Sequence, residues 1–200
     1  MTYRTSVKTQ RKVLDSPINA DYVVIHSEPN LAKILRDQQE KASLEKVSNG
    51  LFKLKGTTES QTWILTSKVD GKIRPFSIAC YVSEKPDEPE SGELCLKIKD
   101  HIFSHDNKFY SVGGAIPEGI SPRDCIIGTR YICRLVNFPF SHIDDIDEET
   151  KHQLKRHRGV AVGEIHGLGA DGYHVSLYQD ELTDIGLQLT ASTYLLYTTR

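Results

Sequence analysis

The chain has 200 residues, of which 38% are hydrophobic and 26% charged; that is one ordinary domain, or a domain with an appendage, and too rich in core formers for a disordered chain. Its 25 basic and 27 acidic residues leave a net charge of −2, so no global field attracts a nucleic acid and any anion site must be local. No uncharged apolar run approaches the ~18 residues of a membrane span and the opening MTYRTSVKTQRKV holds no signal-peptide core, which predicts a soluble protein of the cytoplasm, a host cell's if it is a secreted effector.

Residues 1–20 are polar, basic and aperiodic and read as a solvated arm. From Asn30, Leu31, Ile34, Leu35, Leu44 and Val47 recur at spacings near three and four, which predicts an amphipathic helix capped by Ser27 or Asn30 and ended by Asn49-Gly50. After Gly50 the period falls to two. Residues 51–55, 62–66 and 72–83 read as an antiparallel meander, with Asp70-Gly71 as a hairpin turn and Pro75 marking an edge or bulge. Residues 84–93, with two prolines and five acids, have to run through solvent as a long hairpin loop or an insertion. Residues 94–98 and 108–112 continue the sheet on either side of the turn His105-Asp106-Asn107.

Ser121-Pro122 is a good helix opening and predicts a helix over 122–136, and the acid-first, base-last run 144–158 predicts a second, peripheral one. Strands follow at 160–165 and 173–178 across a Gly-Ala-Asp-Gly turn, then an apolar element over 187–196. The expected class is α+β: a central antiparallel sheet flanked by helices, with a C-terminal β-hairpin and helix. The division is an arm over 1–20, a module over 21–136 and an extension over 137–200 packed on the same core. Cys80, Cys95, Cys125 and Cys133 form no CxxC pair and read as reduced core thiols.

Leu31-Ala32-Lys33-Ile34-Leu35, Phe52-Lys53-Leu54-Lys55, Leu65-Thr66, Phe76-Ser77-Ile78 and Asn107-Lys108-Phe109-Tyr110 stand in the order of a helix core and four strand motifs. In this order residues 22–136 resemble a Src-homology-2 domain. That resemblance implies an interaction module for phosphotyrosine peptides, with Lys55 where the family carries its phosphate-gripping arginine and Pro75 where it carries a strand histidine. Arginine offers a phosphate two parallel bonds and lysine a point charge, so the exchange alters the site. Apart from the family, alternation sends Lys53 and Lys55 to one face and Phe52 and Leu54 to the other. The candidate phosphate site is Lys55, Thr57, Thr58, Ser60, Lys72 and Arg74, and it competes with a reading of the same cations as a solvated strand face.

No HExxH, CxxC or GxSxG pattern is present, and in the glycine-rich loop 111–119 no lysine follows and no GxGxxG spacing fits, so the sequence calls for no metal and no cofactor. His174-Val175-Ser176-Leu177 resembles the His-x-Ser/Thr-hydrophobic strand of histidine-pair phosphoesterases, in which two imidazoles serve one phosphate as base and acid. With Ala170 and Asp171 at the hairpin tip, His166 falls opposite about residue 175, so the two histidines are expected on opposite faces. The leading reading is therefore a non-catalytic module that binds a phosphorylated or acidic protein segment. A small phosphoesterase or group-transfer enzyme built on His166 and His174, and an adaptor with no anion site, are the alternatives.

Overall fold

The computed structural model describes residues 17–56, 61–67, 77–121, 128–146, 158–169, 172–178 and 180–198. Nine strands lead the chain: β1 (Ala20–Glu28), β2 (Leu31–Arg36), β3 (Gln39–Ser48), β4 (Leu51–Gly56), β5 (Thr62–Ser67), β6 (Ser77–Val82), β7 (Glu93–Lys99), β8 (Ile102–His105) and β9 (Lys108–Val112). The two-residue β10 (Ile116–Pro117), then β11 (Thr129–Leu135), β12 (Arg158–Gly167) and β13 (Gly172–Leu177) complete the sheet, and α1 (Gly186–Thr198) ends it. Each strand from β1 to β8 pairs antiparallel with its successor; β9 pairs with β11, β11 with β12, β12 with β13, and β13 returns to β1. Twelve strands thus close into an antiparallel barrel, with β10 a parallel stub on β12.

Alternation builds the wall. In β1, Ala20, Tyr22 and Val24 are buried while Asp21, Val23 and Ile25 point outward; in β4, Phe52 and Leu54 are buried and Lys53 and Lys55 point outward. Two-residue connections with positive φ at both positions, Asp37-Gln38, Asp100-His101 and Asp106-Asn107, turn three hairpins in the hand that matches strand twist.

The lumen is filled by α1. Its residues 189–197 are all buried, Thr190, Ser192 and Thr193 included, and a helix buried on every side is one surrounded by protein. It packs on β13, β1 and β2 and also on β7, on the far side of the circle. Its side chains tie to strands all round: Tyr194 Oη lies 3.0 Å from His26 Nδ1 on β1, Ser192 Oγ lies 3.3 Å from Cys80 Sγ on β6, and Tyr197 Oη donates to Val112 O on β9 at 2.9 Å. Tyr173 on β13 donates to Tyr197 O, and Arg130 on β11 lies over the Tyr197 ring at 4.1 Å. A second, smaller core lies outside the barrel, where Ile102, Tyr131, Cys133 and Leu135 are covered by Ala115, Ile120, Ile143 and Ile146 from the segments that flank β11.

This overturns the α+β expectation. The helix expected from Asn30 to Gly50 is the hairpin β2–β3: Ala32, Ile34, Ala42 and Leu44 are the inward residues at period two. Two bulges, at Lys41 and Val47, both lie on β3 and shift the register there; Val47 as a bulge residue, together with the outward Leu31 and Leu35 of β2, completes spacings that imitate a helical stripe. Asn49-Gly50, taken as a helix stop, is a hairpin turn with Gly50 at φ +82°. The helix expected over 122–136 is strand β11 from Thr129 onward, and 122–127 lie outside the described residues. Of the helix expected over 144–158, Ile143–Asp145 is a single 3₁₀ turn, Arg158 opens β12, and 147–157 lie outside the described residues.

The acidic loop joins β6 to β7. It carries a 3₁₀ turn at Pro89–Ser91 with Pro89 buried, while Glu84, Lys85, Asp87 and Glu88 are exposed. Residues 158–198 supply two staves and the filling of the barrel that residues 20–135 begin, so both parts of the chain share one core. Cys80, Cys95 and Cys133 are free thiols, Cys125 lies outside the described residues, and burial pushes Cys80 up to about 12, which leaves it inert. Among the described residues no helix is long and apolar enough to cross a membrane.

Candidate functional site

A filled lumen leaves the outer wall and the two mouths for binding, and three places there carry chemistry. The first is the outward row of β4. Lys55 stands opposite Ser43 and is exposed, and Lys53 stands between Glu45 on β3 and Trp63 on β5, its Nζ 5.5 Å from the indole centroid. Neither lysine makes an ion pair among the described residues. Trp63 points outward yet is only 4% exposed, and its Nε1 donates to Ser83 O at 3.1 Å. Thr57, Thr58 and Ser60, which follow the end of β4, lie outside the described residues, as do Lys72 and Arg74. The flanks of 68–76, Ser67 and Ser77, pair with each other at the opposite end of the barrel wall from Lys55. Of the six expected phosphate ligands, the described structure therefore places Lys55 alone.

The second place is the outer face of β12 and β13. His166 and His174 are direct cross-strand partners, their rings 28° from parallel with centroids 6.1 Å apart. The expectation of opposite faces is wrong by one residue of turn: Leu168 N donates to Gly172 O at 2.9 Å, so the hairpin is centred on residue 170 rather than between 170 and 171. Each ring has a carboxylate. His174 Nε2 lies 2.7 Å from Asp21 Oδ1, which also accepts from Ser176 Oγ at 2.7 Å; His166 Nε2 lies 3.1 Å from Glu164 Oε1 at an angle too poor for a hydrogen bond, and its Nδ1 is 3.0 Å from Thr129 Oγ1. His174 is 4% exposed, its Nδ1 is buried without a hydrogen-bond partner, and Ser176 and Glu164 are buried too. The cluster is a built acid–base network closed over by protein. Among the described residues no group of three or more metal-ligating side chains has the geometry to hold a metal ion.

The third place is a cleft of about 720 Å³ at the mouth where β8 ends, β9 begins and β11 ends, lined by Lys108, Phe109, Arg134, Asn137, Phe138, Phe140 and their neighbours. Behind it Glu181, just before α1, accepts from Lys108 Nζ at 2.8 Å and Arg134 Nη1 at 3.2 Å. Burial pushes the Glu181 carboxyl up, but the two cations outweigh it and hold it below the ordinary range. Burial and the Glu181 charge raise the nearby Tyr110 phenol. The sequence reading passed over this cleft. Its one local signal is the aromatic pair Phe138 and Phe140 around Pro139, in a segment that the helix expectation stopped short of.

No family model matches the chain, and no curated protein or solved structure matches it. The resemblance to the Src-homology-2 domain thus has no relative behind it, and the helix on which it opened is a strand pair. What fold and sites define is a class: a closed antiparallel barrel filled by its own C-terminal helix, with its polar chemistry outside.

Proposed function

We propose that the protein is a non-catalytic interaction module that takes an acidic protein segment on the outer wall of its barrel. The observation that carries this reading is the filling of the lumen by α1, which denies the barrel an internal ligand and turns recognition outward. On that wall Lys53 and Lys55 form no ion pair among the described residues, although Glu45 stands across the ladder from Lys53, and they lie on a strand whose inward residues fix their direction. The α+β fold through which the resemblance implied a phosphotyrosine ligand is not the fold of this chain, so the reading is carried here by the acidic segment alone.

Trp63 is the one tryptophan of the chain, and an anion drawn to Lys53 changes the field over its ring. Titration with a hexaglutamate peptide should therefore alter tryptophan fluorescence saturably. Loss of one charge-assisted contact costs on the order of 1.5–3 kcal/mol, so Lys53→Ala and Lys55→Ala should each weaken binding about tenfold or more. Folding stability of Lys55→Ala should stay within about 0.5 kcal/mol of wild type. A flat titration, or equal affinity in both variants, sinks the reading.

The pairing of His166 with His174 supports a second reading, acid–base chemistry on a phosphoester, because two positioned proton carriers are what that reaction needs. Against it stand the burial of His174 and the commitment of its Nε2 to Asp21. We expect no turnover of a phosphodiester panel by wild type; turnover that His174→Ala abolishes would establish the enzyme instead.

A further inference from the structure

We propose that the cleft between the β8–β9 turn and the segment after β11 is a binding site for a small aromatic anion, separate from the wall of β4. Three observations meet there. The first is size: about 720 Å³ falls within the roughly 300–1,000 Å³ of small-molecule sites.

The second is an aromatic wall. Phe109 and Phe138 stand with ring centroids 4.8 Å apart and Phe138 and Phe140 with theirs 5.5 Å apart, in a chain of tilted rings that is half-buried rather than sealed into a core. Asn137, at φ +57°, turns the chain sharply after β11, and Phe138 and Phe140 follow this turn into the cleft lining. A planar ring laid against such a wall gains both apolar burial and edge-to-face contact.

The third is charge. Lys108 and Arg134 line the cleft, while the single carboxylate that both of them hold, Glu181, does not. Lys108 is 46% exposed and Arg134 31%, against 15% for Glu181, so the cations form the surface and the carboxylate backs them. Arginine has five donors and lysine three, and Glu181 takes only part of that set. The one acid on the lining, Asp106, is at the rim and 76% exposed. What the cleft offers a ligand is therefore an aromatic wall together with cationic donors that no other described residue takes up, the complement of an aryl phosphate, sulfate or carboxylate.

The test uses phenyl phosphate, followed by saturation-transfer NMR and calorimetry on the full chain, with inorganic phosphate as the ring-free control. Phenyl phosphate should bind at least tenfold more tightly than inorganic phosphate, and both Phe138→Ala and Lys108→Gln should reduce its affinity at least fivefold. Lys108 is 46% exposed, while Phe138 is half-buried against the second core, so a far-UV circular dichroism melt of each variant establishes that the fold is kept before binding is read; Arg134, which is more enclosed, is left in place. Lys55→Ala should leave phenyl phosphate binding unchanged, which separates this site from the wall of β4. Absence of saturation transfer in wild type, equal binding of the two probes, or indifference to both cleft variants overturns the proposal.

Discussion

Leu189→Ala should destabilise the protein by about 2–5 kcal/mol, the cost of removing a fully buried leucine and leaving a cavity. Leu189 is 0% exposed and belongs to the core that the helix shares with the inward residues of the barrel strands. A rigid, closed barrel cannot collapse onto the gap as a surface helix could, so the upper part of that range is expected. Against a total stability of roughly 5–15 kcal/mol this is a large fraction. Urea unfolding followed by far-UV circular dichroism measures it. A change below about 1 kcal/mol would mean that α1 does not fill the lumen, and with it would go the argument that ligands are confined to the outside.

The parts of this structure legible in the sequence are those governed by neighbours in the chain. Strands β4, β5, β7 and β9 lie where the period of two and the turns at Asp106-Asn107 put them, within a residue or two at their ends. The hairpin β2–β3 was hidden by the two bulges of β3 and by the outward leucines of β2, which together convert alternation into spacings of three and four. The last apolar element was visible as a run, but that it enters a lumen depends on the strands around it. Closure itself leaves no local trace: Asp21 and Ser176, which meet at the seam, are 155 residues apart in sequence. Sites followed the same division. The outward direction of Lys55 came from alternation alone. The His166–His174 pair turned on whether a hairpin is centred on a residue or between two, which composition does not fix, and the cleft joins a β-turn to a segment some 30 residues later.

The seam where β13 meets β1 is the place at which a single methyl group should do most damage. Gly172 opens β13 opposite Ile25 with φ +142°, a conformation costly for any residue with a side chain, and a Cβ built there falls well inside contact distance of the Val24 carbonyl oxygen and 2.9 Å from its carbonyl carbon. Both atoms are backbone, held by the antiparallel pairing that closes the barrel, so no side chain can swing aside to make room. Forced positive φ costs about 1–3 kcal/mol and overpacking about as much again, so Gly172→Ala should lose roughly 2–6 kcal/mol. Relief comes only by parting β1 from β13. Amide hydrogen exchange in residues 21–25 and 173–177 should therefore accelerate before that of β5 and β6, which lie across the barrel. In an open sheet, where β1 and β13 are both edges, the same substitution would cost little and would leave β1 exchange untouched; that outcome would argue against a closed barrel.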